Sequence, residues 1–188
     1  MRLESFPDLS TASKDYIPGI VRCAQDAFGK TMQEKEVIEH LGGFLIVAVD
    51  NEDVIAFCVS KTGTFNEVLS LSQVSDMPTV HLVGAAVRSD YQGQGVYKNL
   101  NVARLGNAIS ARIPLIYTRT QNPGVEAGLS ATLQNMREQG LIKRFFVTRD
   151  KEDGVYGRLL TPNKPSIPPN SPYNELNYDR GDAFHLFG

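Results

Sequence analysis

The chain has 188 residues, 41% of them hydrophobic and 21% charged, which is enough to bury one sizeable core and too few to require two. A formal net charge of −2 provides no clustered positive surplus, so nucleic acid and anionic membrane surfaces are not expected partners. The N-terminal MRLESFPDLS has no apolar stretch of signal-peptide length and no later run could span a bilayer, so a cytoplasmic protein of one domain, residues 1–188, is expected.

In chain order, Ile17, Ile20, Val21, Ala24 and Phe28 predict a helix from Tyr16 to Phe28, with Pro18 in its first turn and Gly29 as its stop. A second helix runs from Gln33 to Leu41, with His40 at its end, where a cation favours the helix dipole. The runs from Phe44 to Val49 and from Val54 to Val59, separated by the Asp50 to Asp53 turn, predict a buried antiparallel hairpin. Cys23 and Cys58 lie far apart and form no CxxC pair, so they read as reduced core thiols, and no metal site is expected. Thr62 to Pro78 is polar and mixed. A strand from Thr79 to Val87 follows, interrupted by Gly84, which marks a bulge, a close backbone approach or a bulky core neighbour.

Beyond a glycine-bearing turn, Val96, Leu100 and Ala103 line one helical face and Val102, Leu105 and Ile109 an adjoining one. Ile113 to Thr120 reads as a strand, Val125 to Gln139 as a helix stopped by Gly140, and Leu141 to Val147 as the next strand. Five prolines between Thr161 and Pro172 exclude regular structure there, and Asp182 to Phe187 returns as a closing strand. The order predicts a mixed α/β fold with a sheet flanked by helices.

The chemistry-bearing stretch is the strand-loop-helix from Val80 to Leu100. Gly93 and Gly95 remove the Cβ atoms that would hold a ligand off the backbone, and the helix that follows opens with unpaired amides. Such a nest at a helix dipole's positive end suits a phosphate or pyrophosphate. A Walker loop is excluded because Val96-Tyr97-Lys98 replaces its Gly-Lys-Ser/Thr ending. The dinucleotide fingerprint fails as well, because Lys98 stands where its third glycine belongs.

Ala86-Val87 followed by Tyr91-Gln92-Gly93-Gln94-Gly95-Val96 resembles the cofactor signature of the GNAT superfamily of acyl-coenzyme A-dependent N-acyltransferases, Arg/Gln-x-x-Gly-x-Gly/Ala after its strand. Tyr97 departs from it, placing a ring where the family has a small residue. The resemblance implies a mixed, mostly antiparallel sheet with a splayed central strand whose backbone at Ala86 and Val87 pairs with the pantetheine arm. It implies an acyl-CoA cradle at Gln92, Gly93, Gln94, Gly95, Val96 and Tyr97, with Asn122 as a further coenzyme A contact. The co-substrate is then acetyl-CoA or another acyl-CoA. The acceptor is a small-molecule or peptide amine, and a homodimer is left open.

Amine attack on a thioester needs a base for the amine proton and an acid for the departing thiolate. His81 is the expected base; it lies on the cofactor strand where the resemblance places the glutamate of the histone-modifying branch. His185 alternates with Phe184 and Leu186 in the last strand and is a weaker choice. Met136 stands where many family members have an acidic tyrosine, which leaves Tyr117, Tyr156, Tyr173 or solvent to serve. Asp15, Asp26 and Glu67 are either attractors of a cationic amine or solvated surface. The proline-rich segment, with Tyr156, Tyr173 or Tyr178, is expected to wall the acceptor site. The main alternatives to acyl transfer are a non-catalytic acyl-CoA-binding module on the same fold and a nucleotide-binding protein using the same amide nest.

Overall fold

The computed structural model describes residues 1–12, 14–29, 33–64, 77–153, 167–178, 180 and 182–187. It divides into two compact units, Met1–Leu115 and Ile116–Gly188.

The first unit is built on four antiparallel strands in the order β1 (Arg2–Phe6), β2 (Phe44–Asp50), β3 (Asp53–Thr64) and β4 (Pro78–Val87). The β2–β3 hairpin forms where the two apolar runs predict it. Asn51 and Glu52 both adopt positive φ, 48° and 66°, the mirror-image turn whose twist suits a two-residue hairpin. Both strands are buried on both faces, which is why they read as continuous apolar runs rather than alternations. Leu45, Val47 and Val49 pack with Ile20, Val21, Cys23 and Ala24 of α1 (Tyr16–Phe28) and with Val37 of α2 (Glu34–His40). Ile46 and Ala48 face the other way and join Ile55, Cys58, Val96 and Leu100, the last two from α3 (Val96–Ser110). Each fully buried aliphatic side chain contributes about 1.5–3 kcal/mol. The two-sided burial therefore makes this hairpin the unit's centre.

β1 is a strand the sequence does not announce. Its residues are mostly exposed, and it exists because β2 offers an edge, with Arg2 opposite Val49 and Phe6 opposite Leu45. Phe6 lies 5.9 Å, ring to ring, from Tyr16 of α1.

The second unit places β7 (Ala183–Phe187) between β5 (Leu115–Thr120) and β6 (Thr148–Glu152), both antiparallel to it. α4 (Pro123–Glu138) ends where Gly140 stops it, with Gly140 N on Arg137 O at 2.9 Å and Leu141 N on Met136 O at 2.9 Å. The strand expected from Leu141 to Val147 is not there. That apolar run is irregular, with Phe146 70% exposed, and the polar residues Thr148–Glu152 form the strand instead because β7 presents them with a partner edge. Tyr173, Leu176, Tyr178, Phe184 and Leu186 make a separate cluster in this unit.

Candidate functional site

β4 leads directly into the loop. Arg88 N still bonds to Ile55 O at 2.9 Å; a single 3-10 turn, Ser89–Tyr91, follows, and then the chain enters Gln92-Gly93-Gln94-Gly95. Gly93 and Gly95 both sit at positive φ, 74° and 79°. A Cβ on either would meet nothing within 4 Å. Neighbouring protein atoms therefore do not demand these glycines; the left-handed backbone does, at about 1–2 kcal/mol for other residues. The space above them is open to a ligand approaching the main chain. The Gln92 and Gln94 side chains turn back on the loop, donating to Val87 O at 3.1 Å and Asp90 O at 2.8 Å. They hold the turn's shape.

Gly95 is the N-cap of α3, where no side chain caps the helix and no acidic residue occupies the first turn. The first amide satisfied within the helix is Asn99 N, on Gly95 O at 3.0 Å. The amides of Val96, Tyr97 and Lys98 precede it, at the positive pole of a fifteen-residue helix. Val96, 4% exposed, pins this turn to the core. α4 shows the contrast: its Asn122 cap accepts from Gly124 N at 2.8 Å.

The base of the loop is braced by charges. Asp26 of α1 accepts from the Ser89 amide and hydroxyl. Asp53 at the start of β3 joins Arg22 of α1 at 2.7 Å and Arg88, and Arg88 also grips Asp90 at 3.1 and 2.7 Å. Burial works against the Asp53 carboxylate, yet Arg22 and Arg88 outweigh it and hold its pKa below the ordinary value of 3.8. Asp26 is exposed, and its carboxylate fastens α1 to the loop. Sequence reading missed this role because the partner lies 63 residues away.

Gly84 lies beside a β-bulge. Val59 faces Gly84 and Ser60 faces Leu82, so Val83 is the extra residue of β4. A Cβ at Gly84 would also meet open space, which removes the reading of a glycine making room for a core neighbour. Ala86 and Val87, both buried, sit opposite Phe57 and Ala56, and His81, half-buried, sits opposite Lys61 on the far side of the bulge. The loop, Ala86, Val87, Tyr97 and His81 all belong to the first unit.

Asn122 belongs to the second unit as the α4 cap. Met136 is 1% exposed, a core side chain. Tyr117 Oη accepts from Arg119 Nε at 2.8 Å and lies 3.1 Å from His185 Nδ1. Tyr173 and Tyr178 are buried anchors at 2% and 5% exposure: Tyr173 packs edge-on against Phe184 at 4.9 Å, and the Tyr178 hydroxyl donates to Gln121 O at 3.0 Å. Burial, then the neighbouring Glu126, pushes the Tyr173 hydroxyl pKa well up, the wrong direction for a ready proton donor near neutrality. Tyr156, Glu67 and the stretch 161–166 lie outside the described residues.

No protein-family model matches the sequence, and no curated protein matches it. Solved structures match along nearly its whole length. The ribosomal-protein-S18-alanine N-acetyltransferase of Escherichia coli is 14% identical, with a TM-score of 0.60 over 99% of this chain and 92% of that one. NAA60 of Arabidopsis thaliana, solved with a bisubstrate analogue, is 14% identical, with a TM-score of 0.61 over 100% and 97%. This chain has the GNAT fold. The IAA acetyltransferase of Bacillus cereus shares it at 15% identity and a TM-score of 0.56, over 99% and 97%. In the GNAT fold of this chain, the glycine loop joins the bulged strand β4 to the uncapped helix α3. Among the described residues no group of three His, Cys, Asp or Glu side chains could hold a metal ion.

Proposed function

We propose that this protein is an acyl-CoA-dependent N-acyltransferase, moving an acetyl group to a primary amine by direct attack on the thioester. The observation that carries the reading is the loop itself. Two left-handed glycines with open space above them lead into a helix whose first-turn amides have neither a side-chain cap nor an acidic neighbour. That set of donors fits a pyrophosphate by charge and by hydrogen-bonding type. Lys98, exposed in the same turn, adds a positive charge.

Acyl-CoA supplies the activated carbonyl. The chain's own residues hold and deprotonate. The amides of Val96 to Lys98 and the glycine backbone take the phosphates, and Gln92 and Gln94 keep the loop in shape. β4 offers Ala86 and Val87 beside the pantetheine arm, and His81 accepts the proton that the attacking amine loses. Met136 has no proton to give, so the departing thiolate regains its proton from solvent or from another hydroxyl. An amine acceptor agrees with the similar structure from Escherichia coli, whose name describes N-acetylation of ribosomal-protein-S18 alanine.

The buried thioether at position 136 favours a second reading, a module that binds acyl-CoA without turnover. Release of free thiol from acetyl-CoA across an amine panel separates the two, since a sensor binds and releases none. Gly95→Glu places bulk, charge and backbone strain at the cradle. It should abolish calorimetric binding of acetyl-CoA while the far-ultraviolet circular dichroism stays that of the wild type. Binding at wild-type strength by this variant would remove the loop from the site.

A further inference from the structure

One side of α3 carries Tyr97, Asn101 and Arg104, spaced four and three residues apart and so stacked along the helix. Asn101 is fully buried, Arg104 is 4% exposed, and Tyr97 alone of the three has substantial surface. Arg104 Nε donates to Asn101 Oδ1 at 2.8 Å, and Arg104 Nη2 donates to the Tyr97 hydroxyl oxygen at 3.4 Å. The guanidinium also lies 5.9 Å from the centre of the Tyr97 ring.

These contacts engage both acceptor atoms of the trio and leave several donors without partners among the described residues. Asn101 Nδ2 is buried without a hydrogen-bond partner. The Tyr97 oxygen accepts from Arg104, which leaves its proton for another group, and a guanidinium has five N–H donors, of which these bonds engage two. Among the described residues no carboxylate pairs with Arg104. A buried cation with a surplus of donors is strongly unfavourable until an anionic acceptor completes it. Arg104 stands about 13 Å along the helix from Gly95, which calls for an anionic group separate from the one the first-turn amides hold.

We propose that Tyr97, Asn101 and Arg104 form a seat for a carboxylate carried by one of the two reactants, a claim that rests on the acyl-CoA reading above. A carboxylate brings about four lone-pair sites, enough for Arg104 in a forked contact, the Asn101 amide and the Tyr97 hydroxyl together. An acetyl group has no such function. The seat therefore selects either a dicarboxylic acyl thioester or an amino-acid acceptor, and Tyr97, the half-buried member, is the way in.

The test uses the full chain and two arms. One compares calorimetric affinities for coenzyme A, acetyl-CoA and succinyl-CoA. The other compares binding of phenylalanine and phenethylamine to the coenzyme A-saturated protein. Wild type should prefer the carboxylate-bearing ligand by about tenfold or more in one arm, which identifies the source. Arg104→Met should erase that preference while its ligand-free thermal midpoint equals or exceeds the wild-type value, because an uncompensated charge has left the interior. Should Arg104→Met fail to fold, Tyr97→Phe removes one donor, keeps the ring, and should weaken the same preference several-fold. Coenzyme A binding with no preference in either arm, or a preference that survives these substitutions, overturns the seat and leaves the acyl-CoA reading standing. Absence of coenzyme A binding altogether sinks both.

Discussion

His81 and the two thiols show how little a residue's type says before its surroundings are known. Burial pushes the Cys23 thiol up to about 12 and the Cys58 thiol up to about 11, so neither is a nucleophile near neutral pH. Arg104 works against burial at Cys58 and does not reverse it. Neither sulfur competes with an amine for an acyl group. His81 is half-buried on β4, within reach of solvent and on the strand that leads into the loop. If it accepts the amine proton, His81→Gln should lower turnover by about two to four orders of magnitude with acetyl-CoA affinity nearly unchanged. Steady-state kinetics beside calorimetry decides this, and unaltered turnover would return His81 to a purely structural role.

At the scale of elements, the loop holds its shape through its attachment to α1 and β3. Asp53 is the hinge of that attachment, ionised and joined to Arg22 and Arg88. Its folded pKa lies below its unfolded one, so its contribution is fully present above the ordinary value of 3.8 and is lost as pH falls through the lower folded value. Partly exposed pairs of this kind contribute only about 0.2–1 kcal/mol each. Asp53→Asn should therefore lower the thermal midpoint modestly at pH 7, and the gap from wild type should close in acid below the ordinary carboxylate range. A gap of the same size at pH 7 and in strong acid would show that the brace does not work through charge. The substitution should also weaken acetyl-CoA binding more than it weakens stability, because it loosens the turn rather than the core.

At the scale of the whole molecule, burial is uneven, and in the first unit the glycine loop sits at the edge of the most buried strands. β2 and β3 are each paired on both sides, and from Ile46 to Val49 and from Ile55 to Val59 no residue exceeds 5% exposure. Their amides should be the slowest to exchange with deuterium in the first unit, opening only with its global unfolding, while β1 and α2 exchange sooner. Mass-spectrometric hydrogen exchange reads this directly, and equal rates across β1, β2 and β3 would contradict it. The glycine loop hangs on this block through β4. Its main chain presents open donors to solvent while the strands behind it stay closed.

The amino-acid sequence alone determined the elements whose signals are local. The α1 periodicity, the hairpin, the loop and α3, and the α4 stop at Gly140 are all legible because spacing, turn residues and glycine backbone freedom act within a few residues. The left-handed glycine turn and the uncapped start of α3 were legible for the same reason: their signals lie in consecutive residues. Only tertiary structure decided the elements at sheet edges. Arg2–Phe6 and Thr148–Glu152 are polar strands that exist because β2 and β7 present unpaired backbone, whereas the apolar run 141–147 finds no such edge. Tertiary structure also decided which polar residues matter. Asp26 reaches Ser89 across 63 positions, Tyr178 reaches Gln121 across 57, and Arg104 loses its water without gaining a carboxylate among the described residues. Hydrogen bonding and burial act through space and leave no period in the chain.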